Sequence, residues 1–150
     1  MDPRIQIRNV LHDGEIKAIS EEGDILTMFV SIPYLRRRLQ PLGDSFVLIL
    51  EGVKRVELRD FGGRTSDLRE ELEIGAPEIL NTESESMPVT IETTMGQLIL
   101  DFDRIRFAMD TGQDVTYQTI ETVCEEFWTE WQKKAEQSAG ANAASPRRSA

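Results

Sequence analysis

Few residues in this chain could carry chemistry. The single histidine, His12, opens the run His12-Asp13-Gly14-Glu15. A histidine flanked by carboxylates can carry a proton near neutral pH or help hold a cation. His12, Asp13 and Glu15 are therefore the candidates for catalysis or small-ligand binding. The same four residues also read as a turn, because Asp-Gly is a turn signal and a histidine beside it can hydrogen-bond nearby backbone. The single cysteine, Cys124, could pair with His12 as a nucleophilic dyad. It stands, however, within an apolar helical stripe between Ile120 and Phe127, where a cysteine behaves as a small hydrophobe and its thiolate is disfavoured.

Metal and cofactor signals are weaker still. Asp110, Gly112, Asp114 and Glu121 echo the ligand spacing of a calcium loop, but Val115 stands where the sharp turn needs glycine and Gly112 offers no side-chain oxygen. One histidine and one cysteine fall short of a structural zinc site. Phosphate-loop, dinucleotide, His-Glu-x-x-His and Cys-x-x-Cys patterns are all missing from the sequence. No cofactor or metal is expected, and the balance favours a protein that is not an enzyme.

The clearest binding signal lies near the C-terminus. Glu121, Glu125, Glu126 and Glu130 line the polar side of a helical stretch that also carries Phe127, Trp128 and Trp131. Aromatic residues ringed by carboxylates suit a basic protein partner, since opposite potentials steer encounter. Trp128, on the shoulder of the apolar stripe, is the ring expected to remain outside the core. The basic run Arg36-Arg37-Arg38 could dock a phosphate or an acidic partner, but it reads more simply as a solvated loop that offsets the acidic surroundings.

Composition sets the bounds around these residues. The chain has 150 residues, 39% of them hydrophobic, with 17 Lys+Arg against 27 Asp+Glu and a formal charge of −10. One domain fits that length. The charge opposes general binding to nucleic acid or anionic membranes. Phe46 to Leu50 is the longest wholly apolar run, far below the ~20 residues of a spanning helix. No apolar segment follows Met1-Asp2-Pro3-Arg4 to make a signal peptide, and a lone cysteine suits a reducing compartment. The expectation is a cytoplasmic protein.

The positioning elements are mostly strands. Ile5-Gln6-Ile7 alternates, and Glu15 to Ile19, Ile25 to Ile32, Ser45 to Leu50, Val56 to Leu58, Val89 to Thr93, Leu98 to Phe102 and Ile105 to Met109 follow, separated by turn signals. Ser45 to Leu50 has the apolarity of a strand buried on both faces. Pro33 to Asp44 reads as a short helical turn or a long loop. Residues 66–74 lean towards strand, although Ser66 or Asp67 would cap a helix bearing Leu68 and Leu72. Asp114 to Gln137 predicts one amphipathic helix with Asp114 as N-cap. The expected fold is mainly β (α+β): an antiparallel meander or sandwich-like sheet with one C-terminal helix, formed by residues 1–137. Residues 138–150 are too poor in large apolar side chains to order against a core and are expected to be a disordered tail.

Leu11-His12-Asp13-Gly14-Glu15-Ile16, the strand ending Leu50-Glu51-Gly52-Val53, and Asp114 to Trp131 together resemble a loose group of small bacterial β-rich domains, immunity-protein-like ones among them. The resemblance spans most of residues 10–131 and implies a sheet domain with a packed C-terminal helix that acts by binding. It carries over no catalytic residue. The leading expectation is an acidic binding protein of the immunity or inhibitor type. The alternative is a small enzyme or ligand-binding domain built on His12 and its neighbouring carboxylates.

Overall fold

The computed structural model describes residues 11–82 and 86–144. The alternating Ile5-Gln6-Ile7 segment and residues 145–150 of the expected tail lie outside the described residues. In chain order the elements are β1 (Glu15–Glu22), β2 (Ile25–Ser31), α1 (Pro33–Arg36), β3 (Ser45–Glu51), β4 (Arg55–Arg59), β5 (Thr65–Ser66), α2 (Leu68–Ile74), β6 (Ile79–Thr82), β7 (Val89–Thr93), β8 (Gly96–Asp101), β9 (Arg104–Met109), β10 (Asp114–Val115) and α3 (Tyr117–Ala144).

The strands form two five-stranded sheets, ordered β1-β2-β3-β9-β10 and β5-β4-β8-β7-β6. Neighbouring strands are antiparallel throughout. The mainly β expectation holds, but the chain is not a simple meander. It leaves the first sheet after β3, builds the second, and returns at β9 to pair with β3. Alternation places Leu26, Met28 and Val30 of β2 inward, as it does Val89 and Ile91 of β7. β3 lies between β2 and β9, and Phe46, Val47, Leu48 and Leu50 are all buried, as expected of a strand covered on both faces. One core joins the sheets, with Leu48 and Phe107 from the first and Leu98 and Leu100 from the second.

Main-chain hydrogen bonds stitch the sheets together beside β1. The Ile16 amide donates to Pro77, the Ile79 amide to Gly14 and the Asp13 amide to Ile79, at 2.8, 2.8 and 3.0 Å. The turn containing His12 and Asp13 is thereby fixed to β6.

Three local expectations need correction. Residues 68–74 form helix α2, not a strand. The Asp67 carboxylate caps it by accepting from the Arg69 amide at 2.9 Å, and Glu70 and Glu71 in the first turn suit the helix dipole. Leu68 is buried whereas Ile74 is 78% exposed, so the Leu72-Glu73-Ile74 alternation reflected no buried sheet face. Asp114 does not cap the long helix, because Asp114–Val115 pairs with Ala108 and Phe107 as β10. The Thr116 hydroxyl takes that place, accepting from the Thr119 amide at 3.1 Å. Finally, α3 runs past Gln137 to Ala144, into part of the expected tail. Low hydrophobicity marked that stretch as unable to join a core, yet its alanines are the best intrinsic helix formers.

Candidate functional site

Helix α3 divides into an anchored part and a free part. Ile120, Val123 and Cys124 are buried, and the Tyr117 ring meets Phe107 of β9 at 5.9 Å. Phe127, half-buried, meets Tyr34 of α1 at 4.5 Å. From Trp128 through Ala139 every residue is exposed. At 3.6 residues per turn, Trp128 to Ala139 makes about three fully exposed turns of helix.

The two regions singled out in the sequence meet where the helix leaves the body. The His12 ring lies 6.4 Å from Trp128, centroid to centroid. Trp128 also sits edge-on to Phe127 and to Trp131, at 5.1 and 5.9 Å. Three rings thus hold an indole that remains 38% exposed, with Trp131 56% and Tyr34 40% exposed beside it. Exposed rings already locked in place lose little conformational freedom when a partner covers them.

Asp13 occupies the left-handed region with φ of 72°, a conformation Asp tolerates better than most residues. This holds its carboxylate 3.3 Å from His12 Nδ1. Burial first, and the Asp13 carboxylate second, push the Tyr34 hydroxyl up to about 12. Glu15, the third residue of the sequence-derived catalytic set, pairs instead with Lys17 at 2.9 Å. Cys124 is a core residue. Burial pushes its thiol up, which disfavours the thiolate a nucleophile would need.

The glutamates of α3 separate into two faces. Glu130 pairs with Arg38, whose guanidinium also lies 5.3 Å from the Phe127 ring centroid. The hydrogen bond from Arg38 holds the Glu130 carboxyl below its usual range, with Lys133 and Lys134 contributing from the next turn. Glu126 acts on the same Arg38. Glu126 and Glu130 therefore face cations of their own chain. At 100° per residue, Glu121, Glu125 and Trp128 fall on the other side of the helix, and Glu136 continues that line, all within an arc of roughly 80°. Among the described residues, Glu121, Glu125 and Glu136 make no ion pair. Sequence reasoning grouped the four glutamates as one set and missed both Glu136 and Tyr34. Glu136 was detectable, because it lies eleven positions beyond Glu125 and so returns to the same face. No sequence pattern brings Tyr34 to this helix.

The basic run departs furthest from expectation. Arg36 is fully buried, not part of a solvated loop. Its Nε donates to Ser45 O at 3.2 Å and to Asp110 Oδ1 at 2.9 Å. Nη1 and Nη2 donate to the carbonyl and side-chain oxygens of Gln40, each at 3.2 Å. Asp110 Oδ2 accepts from the Asp44 and Ser45 amides at 2.9 and 3.1 Å. Burial alone would push the Asp110 carboxyl up, but these hydrogen bonds and the guanidinium hold it below its ordinary range. A glycine is required beside the pair: Gly43 has φ of 97°, and a Cβ there would lie 2.3 Å from Asp110 Oδ1. Arg37 and Arg38 are exposed.

No group of three or more metal-ligating side chains comes together among the described residues, and none of their helices is long and apolar enough to cross a membrane. No known protein family, curated protein or solved structure matches the chain.

Proposed function

We propose that this is a non-enzymatic binding protein whose acidic, aromatic helix α3 receives a basic protein partner, in the manner of an immunity or inhibitor protein. The observation that carries this reading is Trp128. Its ring is held by His12, Phe127 and Trp131, yet it stays open to solvent. It lies beside Glu121 and Glu125, which make no ion pair among the described residues. A rigid ring flanked by unpaired charge of one sign combines a contact anchor with electrostatic steering. In this reading His12 and Asp13 form the rim of the surface, not a catalytic pair, and cytoplasmic residence is part of the same proposal.

The test is capture of basic proteins from native lysate on immobilised protein, at low and high salt, beside a Glu121→Lys/Glu125→Lys/Glu126→Lys variant. A stoichiometric basic partner, released by salt and lost in the variant while its circular dichroism is unchanged, is the expected result. Equal capture by both proteins would remove this surface from consideration.

A further inference from the structure

We infer that the partner enters this surface as a basic, amphipathic helical segment laid along one face of α3, the one bearing Glu121, Glu125, Trp128 and Glu136. This rests on the basic-partner reading above and specifies its face and its form.

The asymmetry of α3 selects the face. On one side Arg38 attends both Glu126 and Glu130, and Lys133 and Lys134 act on Glu130 as well, so an arriving cation would compete with cations already in place. On the other side no described residue pairs with Glu121, Glu125 or Glu136. Trp128 lies between the two upper carboxylates and the lower one, with its ring fixed by three neighbours. A lysine or arginine there gains both a carboxylate and an aromatic face.

The form follows from length. Glu121 to Glu136 covers about 22 Å of helix axis at 1.5 Å per residue, with Trp128 near the middle. An amphipathic helix of about four turns spans that line with apolar residues on Trp128 and Trp131 and cations towards both ends. A second copy of this chain does not fit. A two-fold pairing through this face would oppose carboxylate to carboxylate, and each chain carries a net charge of −10. Nucleic acid is excluded by the same sign of charge.

The chain contains two tryptophans, Trp128 and Trp131, and both stand at the surface in question, so intrinsic fluorescence reports on it directly. The probe is a synthetic 15-residue peptide of leucine and lysine arranged as an amphipathic helix, titrated into the full-length protein in buffer of moderate salt. Three proteins are compared: the natural chain, Glu121→Gln/Glu125→Gln, and Glu126→Gln/Glu130→Gln. Each double variant removes two negative charges, so the change in net charge is matched. Thermal melts confirm that each is folded. The expected result is a saturable fluorescence change in the natural chain, affinity weakened roughly five- to tenfold in the first variant and less than about twofold in the second. Equal weakening in both variants would overturn the choice of face while leaving a basic partner in place. Failure of the natural chain to bind the peptide would overturn the helical-segment inference. If lysate capture also finds no basic protein, the broader reading falls with it.

Discussion

Arg36 and Arg38 stand two residues apart in one run of three arginines, and the fold treats them in opposite ways. Arg36 disappears into the body and joins the 40–45 loop to the end of β9 through Ser45, Gln40 and Asp110. Arg38 stays at the surface, pairs with Glu130 and covers the Phe127 ring. Both are arginine–carboxylate contacts, but they act on different quantities. A buried pair cannot lose one partner without stranding the other charge away from water. An exposed pair returns to solvent at little expense and mainly sets the local potential. The same residue type thus serves stability at one position and the charge pattern of the binding helix at the next but one.

The largest effect expected from this contrast is at Asp110. Asp110→Asn leaves the fully buried Arg36 guanidinium without its counter-charge, and the loss should be about 3–5 kcal/mol by analogy with other broken buried pairs. Melting temperature should fall by roughly 2–4 °C for each kcal/mol. The pH dependence gives an independent check. The folded-state carboxyl of Asp110 lies below its ordinary range, so its contribution is fully present above the unfolded-state value of about 3.9 and is lost as pH falls through the folded value. The gap in melting temperature between natural chain and variant should therefore be constant from about pH 7 to 5 and should narrow below about pH 4. A gap that does not change with pH would show that the ion pair is not its source.

Arg36→Lys sharpens the comparison with a smaller change. Lysine retains the charge but replaces the planar fork with a single ammonium, which cannot reach Ser45, both oxygens of Gln40 and Asp110 together. The expected loss is about 1–3 kcal/mol, the range for buried hydrogen-bonding groups left unsatisfied. Chemical denaturation should show a lower midpoint with an unchanged slope, since the surface exposed on unfolding stays the same. A loss as large as that of Asp110→Asn would mean that the fork geometry, more than the charge, holds the loop.

The fates of these two arginines were not legible in sequence, and the reason is physical. Arg36-Arg37-Arg38 is a local pattern, and a local run of cations reads as solvated. The buried position of Arg36 depends on Asp110, which is 74 positions away in sequence and is brought alongside by β3–β9 pairing. What could be read were features carried by near neighbours. The alternation of β2 and β7, the apolar run Phe46 to Leu50 of β3 and the apolar stripe of α3 as far as Phe127 all rest on patterns within one element, and these hold. Trp131 continues the stripe in sequence but is 56% exposed, more than Trp128 at 38%, because the helix has left the body by then. Residues 68–74 failed because a seven-residue helix with two inward leucines carries little more periodic signal than a strand, and the capping carboxylate of Asp67 decided it. For the candidate site, Trp128 and the glutamates were legible as a helical pattern. The approach of His12 and Tyr34 to them was not, because each arrives on a different segment of the chain.

The smallest effect belongs to Arg38→Gln, and it tests the other side of the contrast. The substitution removes the partner of Glu130 and the cation over Phe127, but Glu130 lies at the surface and water replaces what it loses. No change should be resolvable in a thermal melt. The consequence should appear in binding geometry instead. With Arg38 gone, Glu130 loses its ion-pair partner and Glu126 the cation it acts on, and the two faces of α3 become more alike in potential. In the leucine–lysine titration, Glu126→Gln/Glu130→Gln should then weaken binding more in the Arg38→Gln background than in the natural one, because the second face has become able to receive the peptide. If the cost of that double substitution is the same in both backgrounds, Arg38 does not steer the choice of face. A melting temperature lowered as far as in Arg36→Lys would dissolve the contrast altogether, since both arginines would then be holding the fold.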